Sequence, residues 1–480
     1  MNGPAPTDDL CSRGAVDLAD AVRRGSVTAE AAVAASLSRI EAVDDALKAF
    51  ITVAAEQALA SARAADEQRA QGRVLGPLHG VPVAIKDLTA TAGIRTTFGA
   101  VRHRDHVPIE SEVCVERLVK AGAIVLGKTN TPEFGFGAVC TNAMQGPTAN
   151  PWNLALTSGG SSGGAAVAVT TGMVPLAHGT DFGGSVRTPA SFCGCVGLRP
   201  TPGLIPDPSR KLAWNTLATH GILARSVEDA ALMLAVMAGA HPKDPTSHAA
   251  RGWKMPRPDR LGSRDPRSFR IASSPTLGDA FRIDPEVRAA FEAADGVTAR
   301  HFETARRAHP DCREAVQAFK TLRAAHSWAG FRELLAVGED DLGPSFVWNV
   351  KEGRSITAQD HLEAETARSR VYRVFADFFA DHDILMLPAA SVLPFPNAQG
   401  EVTSIDGVEC ETIIDYLAPT FIISLVGYPA LSLPALWTDD GRPFGVQLVG
   451  RPYEEDALLG AARHLQEVAG FRHRWPERSG

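Results

Sequence analysis

Two glycine–serine clusters lie close together between Thr157 and Pro200, and they constrain this chain more than any other stretch. The first cluster is Gly159-Gly160-Ser161-Ser162-Gly163-Gly164, and the second is Asp181-Phe182-Gly183-Gly184-Ser185. Glycine lets a backbone pass close to another group and adopt a positive φ. A glycine pair before a serine leaves the hydroxyl unshielded and the neighbouring N–H groups accessible, as an oxyanion hole beside a nucleophile requires. A pair of flexible surface loops is the alternative, but the repeat within one short stretch favours a shared site.

The stretch resembles the signature of the amidase signature family, the Ser-Ser-Lys amide hydrolases. The resemblance covers most of the chain and is weakest between about Asp244 and Asp383. The matching segments are GVPVAIKD at 80–87, GKTNTPEFG at 127–135, GGSSGG at 159–164, GTDFGGSVRTPA at 179–190, GCVGLRPT at 194–201, GYPALSLPAL at 427–436 and PFGVQLVG at 443–450.

Apolar stretches alternate with segments of helical periodicity, which predicts an α/β layered sheet. Predicted strands are 49–53, 81–85, 123–126, 196–198, 222–223, 269–273, 384–387, 431–433 and 446–449, and predicted helices are 15–47 (two, broken at 25–28), 54–73, 110–121, 163–171, 227–239, 284–300, 310–337, 358–381 and 454–469. The resemblance adds that 1–480 is a single domain with a large mixed β-sheet core surrounded by α-helices. It also implies a variable substrate-pocket region at about 244–420.

Composition excludes several classes of function. The formal net charge of −7 and the absence of a basic run argue against nucleic acid or an anionic membrane as partner. Seven cysteines without framework spacing fit reduced thiols. The N-terminus has no apolar core of a signal peptide, and the apolar run 421–436 is broken by Gly427, Pro429 and Pro434. We therefore expect a cytoplasmic protein.

Two motifs invite other interpretations. Gly122 to Thr129 satisfies the phosphate-loop pattern GxxxxGK[ST], but that loop must follow a strand and lead into a helix, whereas here a helix precedes it and its centre reads as a strand. Cys193-x-Cys195 offers only two ligands at the wrong spacing for zinc, so packed thiols are favoured. The histidines His79, His103, His106 and His178 show no HxxxH or HxH spacing. We expect neither a metal nor a cofactor.

Gly159 to Gly163 also fits GxSxG, the nucleophile elbow of α/β-hydrolases, which would make Ser161 the nucleophile. An elbow sits between a strand and a helix, and residues 150–157 are a poor strand by sequence. That interpretation also leaves the second cluster unexplained.

The resemblance instead assigns Ser185 as nucleophile, Ser161 as the bridging serine after a cis peptide bond, and Lys86 as base. It implies an oxyanion hole made by the backbone N–H groups of Phe182, Gly183, Gly184 and Ser185. It also places Gly135 and Phe136, with Ser161, against the substrate. The aromatic rings of Phe136 and Phe182 favour an apolar acyl group.

A lysine can act as a base only when it is neutral, and its ordinary pKa is about 10.4. Lys86 follows the apolar strand 81–85, and strand alternation points Asp87 to the opposite face. Desolvation without a carboxylate partner should lower the lysine pKa. Asp181, beside a tight Gly-Gly turn, is expected to cap backbone N–H groups, and Arg187 to hold the loop after Ser185.

These residues predict an amidohydrolase that cleaves a carboxylic amide, with ester and carbamate substrates left open, through a serine acyl-enzyme. The alternative is a glutamine-hydrolysing subunit of a tRNA-dependent amidotransferase, which requires a partner chain. A binding module without chemistry is disfavoured because all three catalytic side chains are present. The expected partner is a small-molecule amide substrate; the oligomeric state stays open, with a homodimer as one option.

Overall fold

The computed structural model describes residues 9–256, 261, 264–302, 306–471 and 473–476. Its strands are β1 (Phe50–Val53), β2 (Pro82–Lys86), β3 (Ile124–Thr129), β4 (Ala149–Asn150), β5 (Asn153–Thr157), β6 (Leu176–Asp181), β7 (Val196–Arg199), β8 (Thr219–Ala224), β9 (Ile271–Ser273), β10 (Arg306–Arg307), β11 (Ile384–Pro388), β12 (Ser404–Ile405), β13 (Val408–Glu409), β14 (Ala430–Trp437) and β15 (Pro443–Val449).

The helices are α1 (Asp9–Ser12), α2 (Ala15–Arg24), α3 (Ala29–Leu47), α4 (Ala55–Ala70), α5 (Val113–Lys120), α6 (Gly163–Thr170), α7 (Arg187–Cys193), α8 (Val227–Met237), α9 (Pro285–His301), α10 (Ala315–Val337), α11 (Pro344–Lys351), α12 (Ala358–Asp381), α13 (Ala418–Val426) and α14 (Glu455–Ala469). Every predicted strand and helix is confirmed, including the break before α3, where Thr28 caps the helix by accepting from Ala31 N at 3.0 Å. None of the helices in the described ranges is both long enough and apolar enough to span a bilayer.

Eleven strands form one mixed sheet in the order β1-β3-β2-β6-β8-β7-β14-β15-β11-β9-β10. Strand β2 pairs in parallel with β3 and β6, whereas β6 pairs antiparallel with β8. Val83 and Ile85 pack into one hydrophobic core and Ala84 into another, so successive side chains of β2 are buried on opposite faces. The prediction of a large mixed sheet surrounded by helices is confirmed.

The sheet brings the two clusters together. Because β2 and β6 are parallel neighbours, their carboxyl ends lie at the same edge. Lys86 is the last residue of β2 and Asp181 the last of β6. Helix α6 begins within the first cluster, and α7 begins two residues after Ser185.

Three elements near this edge were not predicted: β6, α7 and α13. The sequence of β6, LAHGTD, is fully or partly buried but carries polar residues and a glycine, so no apolar run marks it. Helix α7 contains Pro189, which obscures its helical periodicity. The hairpin β4–β5 was also missed, because most of β5 is exposed and its sequence lacks the expected alternation.

The first turn of α6 lies directly against backbone. A Cβ placed on Gly164 would sit 2.4 Å from Ala49 O and 2.6 Å from Asn130 N. Neither atom belongs to a flexible side chain, so this position requires glycine and fixes how closely α6 approaches the sheet.

We expect Gly164→Ala to destabilise the protein by at least the ~1–3 kcal/mol typical of overpacking, because backbone must move to admit the methyl group. Gly296→Ala is the matched control within α9, where the only atom near the new Cβ is Arg300 Nη1 at 3.8 Å. That substitution should gain roughly 0.5–1 kcal/mol of helix stability. Urea unfolding midpoints measure both changes; equal midpoints for the two variants would contradict the packing argument.

Candidate active site

Lys86 is a buried amine bound to hydroxyl groups. Its side chain is 0% exposed, and its Nζ lies 2.7 Å from Ser161 Oγ and 2.9 Å from Thr180 Oγ1. Burial lowers the pKa of Lys86 to about 7, while the nearby Cys140 and Asp181 act weakly in the opposite direction. A substantial fraction of this amine is therefore neutral at neutral pH.

The neighbouring carboxylate of Asp87 turns away from the lysine, as strand alternation predicts. It accepts from the N–H of Thr97 at 3.0 Å and from the N–H of Gly99 at 3.4 Å. Across the described ranges, no carboxylate forms an ion pair with Lys86. The lysine thus lacks the counter-charge that would keep it protonated.

Ser161 and the second cluster are tied together through backbone. The Gly160–Ser161 peptide bond is cis, and Ser162 N donates to Ser185 O at 3.0 Å. A Cβ on Gly160 would lie 2.8 Å from Gly137 O, so the first cluster also packs tightly on its other side. Ser161 Oγ faces Lys86 rather than a histidine.

Ser185 presents its hydroxyl between two anchored residues. The N–H groups of Gly184 and Val186 donate to Asp181 Oδ1 and Oδ2 at 2.9 and 3.1 Å. Ser185 itself is partly exposed, and its Oγ has no hydrogen-bond partner among the described residues. The predicted capping role of Asp181 is confirmed, and it leaves the Ser185 hydroxyl open to a ligand.

Of the four N–H groups predicted to form the oxyanion hole, that of Gly184 already donates to the buried carboxylate of Asp181. The oxyanion hole itself stays a prediction. In the part of the chain that the structure describes, the N–H groups of Phe182, Gly183 and Ser185 have no acceptor. These three remain candidate donors.

Arg187 pairs with the carboxylate of Asp181, which in turn binds the backbone of the loop around Ser185. Its guanidinium donates to both oxygens of Asp181, at 2.7 and 3.0 Å, and Nη1 donates to Thr420 O at 2.8 Å. Arg187 and Asp181 are both 0% exposed, and Arg199 lies 3.6 Å from Asp181 Oδ1. Burial by itself would raise the pKa of Asp181, but the charge and hydrogen bonds of Arg187, with the charge of Arg199, hold it well below its usual range. The structural role predicted for Arg187 is confirmed.

A family model described as Amidase matches residues 31–459. The chain belongs to the amidase signature family. It is 32% identical to an acylamidase of Rhodococcus erythropolis, over 96% of both chains. It is 35% identical to a glutamyl-tRNA(Gln) amidotransferase subunit of Moorella thermoacetica, over 96% of this chain and 97% of that one. The crystal structure of a bacterial aryl acylamidase superposes with a TM-score of 0.87 at 26% identity, covering 96% of each chain. The protein is accordingly an amidohydrolase.

In this amidase, Gly135 lies beside the first cluster and Phe136 lies mostly in an aromatic core. Gly135 has φ +78°, and a Cβ there would be 3.7 Å from Ser161 Oγ. The Phe136 ring packs edge-on against Phe331 at 5.2 Å and Phe346 at 5.3 Å. Gly135 thus lies next to Ser161, and Phe136 packs beside it; that either residue contacts a substrate stays a prediction.

Sequence reasoning missed the groups that α10 and α13 bring to the second cluster. Thr420 Oγ1 donates to Gly183 O at 2.7 Å, and a Cβ on Gly183 would lie 3.2 Å from Phe319 Cζ. Thr180, which forms a hydrogen bond with Lys86, was missed as well. Its place before Asp181 in the matched GTD segment was the one sequence signal that could have identified it. Helix α10 lies in the region 244–420, of which 257–260, 262–263 and 303–305 fall outside the described residues.

The phosphate-loop interpretation is excluded by the fold. Strand β3 runs through Gly127 and Lys128 to Thr129, and the Lys128 amine is buried, donating to Thr91 Oγ1 at 3.0 Å and Thr96 Oγ1 at 3.1 Å. The argument against an elbow at Ser161 was wrong in one premise, since Asn153–Thr157 is a strand. Ser161 Oγ contacts the Lys86 amine, whereas the elbow interpretation pairs that serine with a downstream histidine.

The spacing of histidines and cysteines in the sequence did not reveal a buried cluster of Cys114, His178 and His220. Their ligand atoms lie within 4.8 Å of one another, although they are far apart in sequence. His178 Nε2 and His220 Nδ1 are hydrogen-bonded at 3.0 Å, and burial lowers the pKa of both rings. Neutral imidazoles can satisfy each other in this way, so the contact explains their placement without a metal. The prediction that no metal or cofactor is needed stays a prediction.

We expect Arg187→Ala to destabilise the amidase by about 3–5 kcal/mol, because it leaves the Asp181 carboxylate buried and short of its main counter-charge. Arg313→Ala removes an exposed pair with Asp311 and should leave the free energy of unfolding nearly unchanged, because water and salt screen such a pair. Chemical denaturation of both variants provides the comparison. A loss for Arg187→Ala as small as that of the control would show that the buried pair does not hold this edge of the sheet together.

Proposed function

We propose that this amidase hydrolyses small carboxylic amides through an acyl-enzyme on Ser185, with Ser161 as proton bridge and Lys86 as base. The observation that carries the proposal is the contact of 2.7 Å between Ser161 Oγ and a buried lysine amine whose pKa lies at about 7. An unassisted serine is a weak nucleophile and needs an adjacent base. A neutral amine behind a bridging hydroxyl supplies one without a histidine.

In the first half-reaction, Ser185 Oγ attacks the amide carbonyl carbon and passes its proton to Ser161 Oγ. Ser161 gives its own proton to the Lys86 amine, which becomes an ammonium. The N–H groups of Phe182, Gly183 and Ser185 receive the developing oxyanion. Return of the proton through Ser161 to the leaving nitrogen allows the C–N bond to break.

In the second half-reaction, water attacks the acyl-enzyme carbonyl while the neutral amine again accepts a proton through Ser161. That proton returns through Ser161 to Ser185 Oγ as the ester C–O bond breaks, so the carboxylic acid leaves, the Ser185 hydroxyl is restored and Lys86 is neutral again. The same acyl-enzyme forms from an ester or a carbamate, so those substrates fall within the proposal. Phe182 and Phe136 border the site with aromatic surface, which supports an apolar part in the acyl group.

The alternative, a glutamine-hydrolysing amidotransferase subunit, is supported by the relative from Moorella thermoacetica. The alternative requires a partner chain. In the main proposal the protein is cytoplasmic and acts on a small molecule, either alone or as a homodimer. Mass by size-exclusion chromatography with light scattering, followed by turnover of simple amides by the isolated chain, separates the two. A chain that turns over only glutamine, and only with a partner, would favour the alternative.

We expect kcat/KM to rise with pH through one ionisation near pH 7 and then level off, because the Lys86 amine is protonated and inactive below its lowered pKa and neutral above it. Lys86→Ala should lose at least the ~10²–10⁴-fold typical of general-base assistance. Lys86→Arg should not restore activity, since a guanidinium stays protonated. The measurement is kcat/KM for an amide from pH 5 to 10 in wild type and both variants. Near wild-type activity in Lys86→Arg would exclude lysine as the base.

We expect an organophosphonate to attach to Ser185, whose hydroxyl is the unengaged one of the pair. Peptide mass mapping of the labelled protein locates the adduct. Ser185→Ala should abolish labelling, whereas Ser161→Ala should retain part of it because water can replace a bridging hydroxyl. An adduct on Ser161 would overturn the assignment.

A further inference from the structure

Helix α10 packs against the second serine cluster near its start and against Phe136 further along. Near its start, Phe319 packs on the second cluster, with its ring centroid 5.9 Å from that of Phe182. Four residues later, on the same face of the helix, the Arg323 guanidinium lies 5.8 Å from the centre of the Phe136 ring. Phe136 follows Gly135, which lies beside Ser161 Oγ. Arg323 therefore stands at the border of the proposed acyl site.

The Arg323 side chain is held in place but incompletely paired. Of its five N–H donors, one is given to Asn349 Oδ1. Asn349 is 1% exposed, and its Nδ2 donates to Ser345 O at 2.7 Å, so the amide is fixed. Within the described ranges the other Arg323 donors have no protein acceptor. The fixed amide sets the direction of the guanidinium and leaves most of it available.

No carboxylate of the described residues forms an ion pair with Arg323. Lys320, on the same helix, shows the contrast, because it pairs with Glu411 at 3.0 Å and Asp415 at 2.8 Å. Glu352 acts to raise the pKa of Arg323 through its charge, but it is exposed and forms no hydrogen bond or ion pair with Arg323. Nearer the serines, Asp181 is already committed to Arg187. The residues that the structure describes thus do not supply the missing counter-charge.

A guanidinium in this position is costly to leave unpaired. Burial lowers the pKa of Arg323 to about 10, which still leaves the group protonated at neutral pH. A poorly solvated charge is stabilised by an opposite charge and by hydrogen bonds. A carboxylate that enters beside Phe136 would supply both the opposite charge and the hydrogen-bond acceptors, because its two oxygens match the N–H groups of the guanidinium.

We propose that Arg323 is a substrate-binding residue that recognises a carboxylate on the amide substrate, so that the preferred substrates of this amidase are amides carrying an anionic group. The inference rests on the proposed function and narrows its substrate class. Phe319 and Arg323 are four residues, about 6 Å, apart along α10, so a short spacer between the carboxylate and the scissile amide is expected. The carboxylate belongs either to the acyl part or to the leaving amine.

Two matched substrate pairs test the proposal and distinguish those two sources. Glutaramate and pentanamide share one acyl length and differ in an acyl carboxylate. N-butyrylglycine and N-ethylbutyramide share one acyl group and differ in a carboxylate on the amine. Wild type should prefer the anionic member of at least one pair. L-glutamine, which adds an ammonium to glutaramate, shows whether the enzyme behaves as a glutaminase.

Arg323→Gln should lower kcat/KM for the preferred anionic substrate by about 10- to 100-fold, the range for a hydrogen-bonded charge, mainly through KM. The same variant should leave the neutral member nearly unchanged, and Arg323→Lys should recover part of the loss. Arg332→Gln removes an exposed positive charge from the same helix and serves as the control. It should leave both members of each pair unaffected.

Equal losses on anionic and neutral substrates in Arg323→Gln would overturn the proposal, as would a wild-type enzyme with no preference in either pair. If no pair is turned over, protection of Ser185 from phosphonate labelling decides. Glutaramate or N-butyrylglycine should then protect wild type better than its neutral match does, and not protect Arg323→Gln; no difference in protection overturns the proposal. Absence of any phosphonate adduct on Ser185 is a separate result, which removes the acyl-enzyme itself.

Discussion

The buried ion pair between Asp181 and Arg187 underlies the arrangement of this active site. One carboxylate, at the end of β6, accepts from two backbone N–H groups on either side of Ser185 and from two nitrogens of the arginine. The same arginine reaches Thr420 in α13. A buried charge is tolerated only when its partners satisfy it. Here that requirement fixes the strand end, the glycine turn and a helix from the C-terminal region relative to one another.

The proposed chemistry depends on a second buried group, Lys86, which differs from Asp181 in having no ion-pair partner among the described residues. Asp181 remains charged because it is paired, whereas Lys86 is poorly stabilised as a cation because it is buried and pairs with no carboxylate among the described residues. Both groups lie at the same edge of the sheet and both are fully buried. The fold thus separates a structural charge from a titratable amine within one small region. Asp87 could have cancelled this difference, and its commitment to Thr97 prevents that.

Much of this arrangement was accessible from sequence, for physical reasons that can be named. The apolar strand before Lys86 and the position of Asp87 in the strand are local features, and each predicted a local outcome that the structure has. The glycine pairs did not reveal that the Gly184 N–H is taken by Asp181, because the direction of that side chain depends on Arg187. The cluster of Cys114, His178 and His220 depends on the pairing of β6 with β8 and on the docking of α5, which no spacing reveals.

Helix α10 belongs to the stretch where the chain departs furthest from the family signature, yet Phe319 reaches Gly183 and Arg323 reaches Phe136. The serines, the lysine and the ion pair come from other elements. The residues proposed to react and the helix that carries Arg323 are therefore on separate lengths of chain. Replacement of one helical pair, formed by α10 and α11, by a different sequence is therefore a way to change substrate preference. The residues proposed to carry out hydrolysis would stay the same.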